Sequence, residues 1–224
     1  MANKSKYCYR ARISDSKFRE LVKFFSLDIE AKKAAILIRL NRNTVNRYYQ
    51  LIRRCIVVYC LNNCMLPEND GAAGIGDIDS SKTNEFTIGG EESKFFGICL
   101  IDGKVYTEFI PKDHESDIRS IVDCRTGSDC AINRSRWERY IGLVDLFSGR
   151  HFRISRDAQC GQPNSLFKTS ELFWGFTKTR LSKFNGICKS TLYFHLKECE
   201  FRFNYRHEDL YKLLLTIIRT HPLK

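Results

Sequence analysis

The chain has 224 residues, 43% of them hydrophobic, which allows one domain of ordinary size with a small companion and excludes a wholly disordered chain. Its formal charge of +11 is spread along the sequence rather than held in one tail, which favours a polyanion such as DNA as partner. No apolar leader follows Met1 and no long uncharged span occurs, so no membrane partner is expected, and a cytoplasmic protein, or a nuclear one in a eukaryotic host, is the default.

From Ser14 to Phe25 the spacing of Phe18, Leu21, Val22 and Phe25 predicts a short amphipathic helix, capped by Ser14 or Asp15. Ile29 to Ile38 reads as a second helix, Leu40-Asn41 as a turn, and Asn43 to Val58 as a third helix with Val45, Tyr48, Tyr49, Ile52 and Ile56 facing inward. This order is that of a small all-α helix-turn-helix. In such a unit the start of the second helix meets base edges in the major groove, and Arg42, Asn43, Asn46 and Arg47 stand there. Arg53 and Arg54, further along, are expected at phosphates, which position a protein without specifying a base. The bland alternative is a packing module with surface Arg and Asn; the crowding of bidentate donors at the expected end favours DNA. Arg39 stands where such turns often carry glycine, which predicts a distorted or destabilised turn.

Asn62 to Gly76 holds turn formers without a sustained period and divides a helix-turn-helix domain (1–61) and its linker (62–76) from a second domain (77–224). There, strands are expected at Asp77–Asp79, Phe95–Ile101 and Val105–Ile110, the last two joined as a hairpin over Asp102-Gly103. A helix at Glu115–Cys124, a strand at Cys130–Asn133, a helix at Arg136–Leu146 and a strand at His151–Ile154 follow. Phe173, Trp174, Thr177 and Leu181 then mark the buried stripe of a helix whose basic face carries Glu171, Lys178 and Arg180. After a break at Asn185-Gly186, Leu192, Leu196, Cys199 and Phe203 mark another, with His195, Lys197, Glu198, Glu200 and Arg202 expected on its polar side. The ten cysteines include no C-x-x-C pair, so reduced thiols that pack as small hydrophobes are the simpler reading, with Cys60 and Cys64 the one spacing worth a metal assay.

Three strands, then helix, strand, helix, strand, helix is the order of an α/β fold of the ribonuclease H-like kind, a mixed sheet flanked by helices. That fold gathers carboxylates from its first strand, its fourth strand and a late helix, and such a set holds two divalent ions for phosphodiester chemistry; hard Mg2+ or Mn2+ needs oxygen ligands.

Over nearly its whole length the chain resembles the compact DDE transposases of bacterial insertion sequences in the ISXO-two-like group. The matching stretches include Leu40-Asn-Arg-Asn-Thr-Val-Asn-Arg-Tyr, Phe96-Gly-Ile, Gly103-Lys-Val-Tyr-Thr, Gly142-Leu-Val-Asp, Glu171 with Phe173-Trp174, and His195-Leu-Lys-Glu-Cys-Glu-Phe-Arg-Phe-Asn. The resemblance implies catalytic and metal-binding carboxylates at Asp79 and Glu171, and Mg2+ or Mn2+ as cofactor. The family's second Asp falls on Ser135, and Lys168 lies beside the third position, so weak metal occupancy and impaired cleavage are expected. The implied partner is double-stranded DNA at transposon terminal inverted repeats, with self-association on that DNA left open. Lys178, Arg180 and Lys183 are candidates for holding its phosphates, against the alternative of a solvated helix face.

Overall fold

Helix formation at the start of the chain follows from local signals. In α1 (Asp15–Ser26) the Ser14 hydroxyl accepts the Lys17 N–H at 3.4 Å, and Phe18, Leu21, Val22 and Phe25 are buried. Helix α2 (Ala31–Ile38) buries Ala34, Ala35 and Ile38. It stops at Arg39, whose backbone is left-handed (φ 54, ψ 55), with the Arg39 and Leu40 N–H groups turned back to the Ile36 and Ala35 carbonyls. That conformation costs a residue with a Cβ about 1–2 kcal/mol, so the strain expected at Arg39 lies in its φ angle, while the hydrogen bonds of the turn are made. Helix α3 (Arg42–Asn62) is capped by the Asn41 side chain, which accepts the Asn43 N–H at 2.8 Å.

The computed structural model describes residues 6–9, 11–63, 95–110, 140–146, 149–153, 165–184 and 189–223. The chain divides into two units, Met1–Asn63 with Asn204–Lys224, and Cys64–Phe203. The C-terminal segment of the first unit departs from the expected division, in which everything from 77 onward forms one domain. It consists of α6 (Leu210–Thr220), opened by Asp209, whose carboxylate accepts the Tyr211 and Lys212 N–H groups. Helix α6 packs on α1 and α3 and buries Leu214, Ile217 and Ile218. The chain then pairs with its own beginning: Tyr9 N–H donates to the Leu223 carbonyl at 2.8 Å and Leu223 N–H to the Tyr7 carbonyl at 2.9 Å. Arg219 covers the Tyr7 ring and donates to its hydroxyl at 3.2 Å, and the Tyr59 and Tyr205 hydroxyls meet at 3.3 Å.

In the second unit, β1 (Phe95–Ile101) and β2 (Lys104–Phe109) form the expected hairpin. Asp102 and Gly103 both take positive φ (49 and 75), the backbone of a two-residue turn whose twist suits antiparallel strands. Strand β3 (Tyr140–Asp145) pairs with β1 on its other side and β4 (His151–Arg153) with β3, giving the order β2-β1-β3-β4 with every neighbour antiparallel. The helix expected over Arg136–Leu146 is thus corrected: its described part, from Tyr140, is a central strand. Tyr-Ile-Gly-Leu-Val is buried throughout, so no alternation betrays the strand, and Gly142 has no Cβ to collide with His151 on β4. The elements expected at 77–79, 115–124 and 130–133 lie outside the described residues.

Gly97 makes a second close approach. Tyr140 of β3 lies across it and donates to the Glu108 carboxylate at 2.9 Å, Glu108 being the residue that faces Gly97 on β2. A Cβ at 97 would occupy the space of the Tyr140 ring, so Gly97→Ala is expected to destabilise the protein by about 1–3 kcal/mol and to release the Tyr140–Glu108 bond. Urea unfolding of Gly97→Ala beside Tyr140→Phe checks this; a loss no larger than that of Tyr140→Phe would refute the steric argument.

Against the sheet pack α4 (Ser165–Leu181) and α5 (Lys189–Asn204). Phe173 and Trp174 of α4, with Leu196, Cys199 and Phe203 of α5, share one core with Phe96, Ile98, Ile141 and Val144.

Candidate nucleic-acid interface and acidic positions

Arg42, Asn43, Asn46 and Arg47 occupy the first two turns of α3, and all four are exposed. Val45, Tyr48 and Tyr49, between and beyond them, are buried, so the helical period separates the four cleanly from the core. None of the four side chains makes a hydrogen bond, ion pair or ring contact with a described residue. From Ala31 to Pro67 the sequence has no Asp or Glu, against Lys32, Lys33, Arg39, Arg42, Arg47, Arg53 and Arg54. A run of cations uninterrupted by acidic residues is what a polyanion needs. Arg53 departs from its expected phosphate role: it is buried, with its guanidinium over the Phe25 ring. Arg54 is half-buried.

The acidic positions divide differently. Asp79 and Ser135 lie outside the described residues. Glu171 is exposed on α4, and so is Lys168 one turn before it. Asp145 stands at the end of strand β3 rather than toward the end of a helix. Among the described residues no group of three or more His, Cys, Asp or Glu is placed to hold a metal ion. Lys178 is exposed with its ammonium over the Trp174 ring, and Lys183 is exposed as well.

Arg180 is the exception to the expected basic face. It is buried, and one of its guanidinium nitrogens donates to Glu198 Oε1 at 2.5 Å. The same oxygen accepts Arg202 Nε at 2.9 Å, so two cations share one carboxylate oxygen out of reach of water. Cys199 Sγ lies 3.5 Å from Arg180 Nη1, and burial pushes its thiol above the ordinary range even with that cation beside it. A second cluster joins α5 to β2. Glu200 Oε2 accepts the Thr107 N–H at 2.8 Å, the Thr107 hydroxyl at 2.7 Å and Lys197 Nζ at 2.8 Å, while Lys197 also donates to the Thr107 carbonyl at 2.8 Å.

His195, Lys197, Glu198, Glu200 and Arg202, expected on the polar side of their helix, are therefore all buried. The sequence signal for this was available in part: Lys197/Glu200 and Glu198/Arg202 have the i,i+3 and i,i+4 spacing of helix ion pairs, and they alternate with Leu196, Cys199, Phe201 and Phe203 so closely that no wide solvated face remains.

Compared with known proteins, the chain is 31% identical over 101 residues to an uncharacterized transposase-like protein of Haemophilus influenzae, an alignment covering 45% of this chain and 81% of that protein. The chain belongs to a transposase-like family. No family model matches the sequence, and no solved structure matches it. In this transposase-like protein no described helix is long and apolar enough to cross a membrane. The described thiols Cys8, Cys55 and Cys199 of the transposase-like chain form no disulfide, and desolvation pushes that of Cys55 up to about 12.

Proposed function

We propose that this transposase-like protein binds double-stranded DNA at the terminal inverted repeats of a mobile element, using α2 and α3 as a helix-turn-helix. Its second unit is a ribonuclease H-like domain of the ISXO-two-like DDE group, in which Asp79 and Glu171 serve phosphodiester cleavage and strand transfer weakened at Ser135. The observation that carries the DNA-binding half is the exposed quartet Arg42, Asn43, Asn46 and Arg47, whose side chains make no hydrogen bond, ion pair or ring contact with a described residue, on an acid-free stretch. This half rests on the resemblance and not on the described sheet, because the five-strand order has a helix where β3 stands.

The donor set fits a divalent ion poorly. A hydroxyl at Ser135 cannot supply the charge of a second carboxylate, and Lys168 adds a cation one exposed turn from Glu171. These two residues favour a second reading, a catalytically silent DNA-binding protein that retains the transposase fold.

Fluorescence anisotropy with a duplex carrying the inverted repeats tests the first half: binding should be salt-dependent and fall roughly tenfold to a hundredfold in Arg47→Ala. No affinity at low salt would remove the reading. Incubation of the same duplex with Mg2+ or Mn2+ separates the two forms of it: nicking by the native chain supports the weakened transposase, whereas nicking confined to Ser135→Asp supports the silent one.

A further inference from the structure

We propose that Arg39 contacts the sugar-phosphate backbone of bound DNA and is kept in a strained turn for its charge; the inference rests on the DNA-binding reading above. Arg39 has φ 54, a conformation that glycine adopts freely and that a residue with a Cβ resists. The backbone hydrogen bonds of the turn, from the Arg39 and Leu40 N–H groups to the Ile36 and Ala35 carbonyls, would be made equally by glycine and do not call for an arginine. The side chain is exposed and makes no hydrogen bond, ion pair or ring contact with a described residue, so none of the described residues employs its guanidinium. A side chain kept on a backbone that glycine would suit better, with no side-chain contact to a described residue, points to use by a ligand.

The position says which part of the ligand. Arg39 precedes Asn41, the cap of α3, and lies three residues from Arg42, a span of at most about 11 Å along an extended chain. It belongs to the turn rather than to the helix that would enter the groove, so it is placed for phosphates and not for base edges. Duplex DNA carries one negative charge per about 1.7 Å of its axis, and a cation at that turn meets one whatever the sequence.

The test uses the full chain and two duplexes, one with the inverted repeats and one scrambled, with affinity measured across a salt series. Arg39→Gly should lower the slope of log affinity against log salt by about 0.9 on both duplexes while raising Tm by roughly 2–4 °C. Arg39→Ala, which removes the charge and keeps the strain, should lower the slope without raising Tm. Arg39→Lys should keep the slope. An unchanged slope in Arg39→Gly and Arg39→Ala, with Arg47→Ala still weakening binding, would overturn the inference and leave the DNA-binding reading standing. A native chain that binds neither duplex at low salt would overturn both.

Discussion

Residues 1–63 alone should not fold, whereas the same residues joined by a short Gly/Ser linker to 205–224 should. The reason is the burial of Leu214, Ile217 and Ile218 of α6 in the first unit. At about 1.5–3 kcal/mol for each fully buried aliphatic side chain, their removal forfeits roughly 5–9 kcal/mol, comparable to the whole stability of a small domain. The pairing of Tyr7 and Tyr9 with Leu223 and the bond from Arg219 to Tyr7 are lost as well. Because Tyr59 and Tyr205 touch, the two ends to be joined are near each other and the linker imposes no strain. Circular dichroism and amide dispersion in NMR spectra of the two polypeptides provide the check. A cooperatively folded 1–63 fragment would show that α6 is an accessory to this unit.

The second large effect is expected at Glu198. Glu198→Ala leaves Arg180 and Arg202 buried without the oxygen both of them share, and breaking a buried ion pair from one side costs about 3–5 kcal/mol. Glu198→Gln retains an acceptor and should cost less. Denaturant unfolding of both variants, together with Arg202→Met, measures the coupling; losses under 1 kcal/mol for Glu198→Ala would mean that water reaches the cluster. Since Arg180 sits at the end of α4 and Glu198 on α5, the same substitution should loosen the helix that carries Glu171.

What the sequence made legible was what neighbours in the chain decide. The hairpin follows from Asp102-Gly103 between two strand-forming runs, and α1 and α3 from the period of their apolar residues and the caps at Ser14 and Asn41. The exposed quartet on α3 was readable for the same reason, because burial of Val45, Tyr48 and Tyr49 fixes which side faces out. Strand β3 was misread because a strand covered on both faces has no alternation to distinguish it from a buried helix. The charges of α5 were misplaced because their partners are distant in sequence: Arg180 for Glu198, and Thr107 for Lys197 and Glu200. The return of α6 to the N-terminal unit is likewise a long-range contact that no local pattern announces.

The Thr107 cluster has one more consequence. Strand β2 forms one edge of the described sheet, where a row of backbone groups would ordinarily invite a foreign strand. At Thr107 both the N–H and the carbonyl are already occupied by Glu200 and Lys197, whose opposite charges imitate the donor and acceptor of a neighbouring chain. Strand exchange between copies is blocked at that rim, so any multimer of this protein must be held by surfaces other than a shared sheet through Thr107.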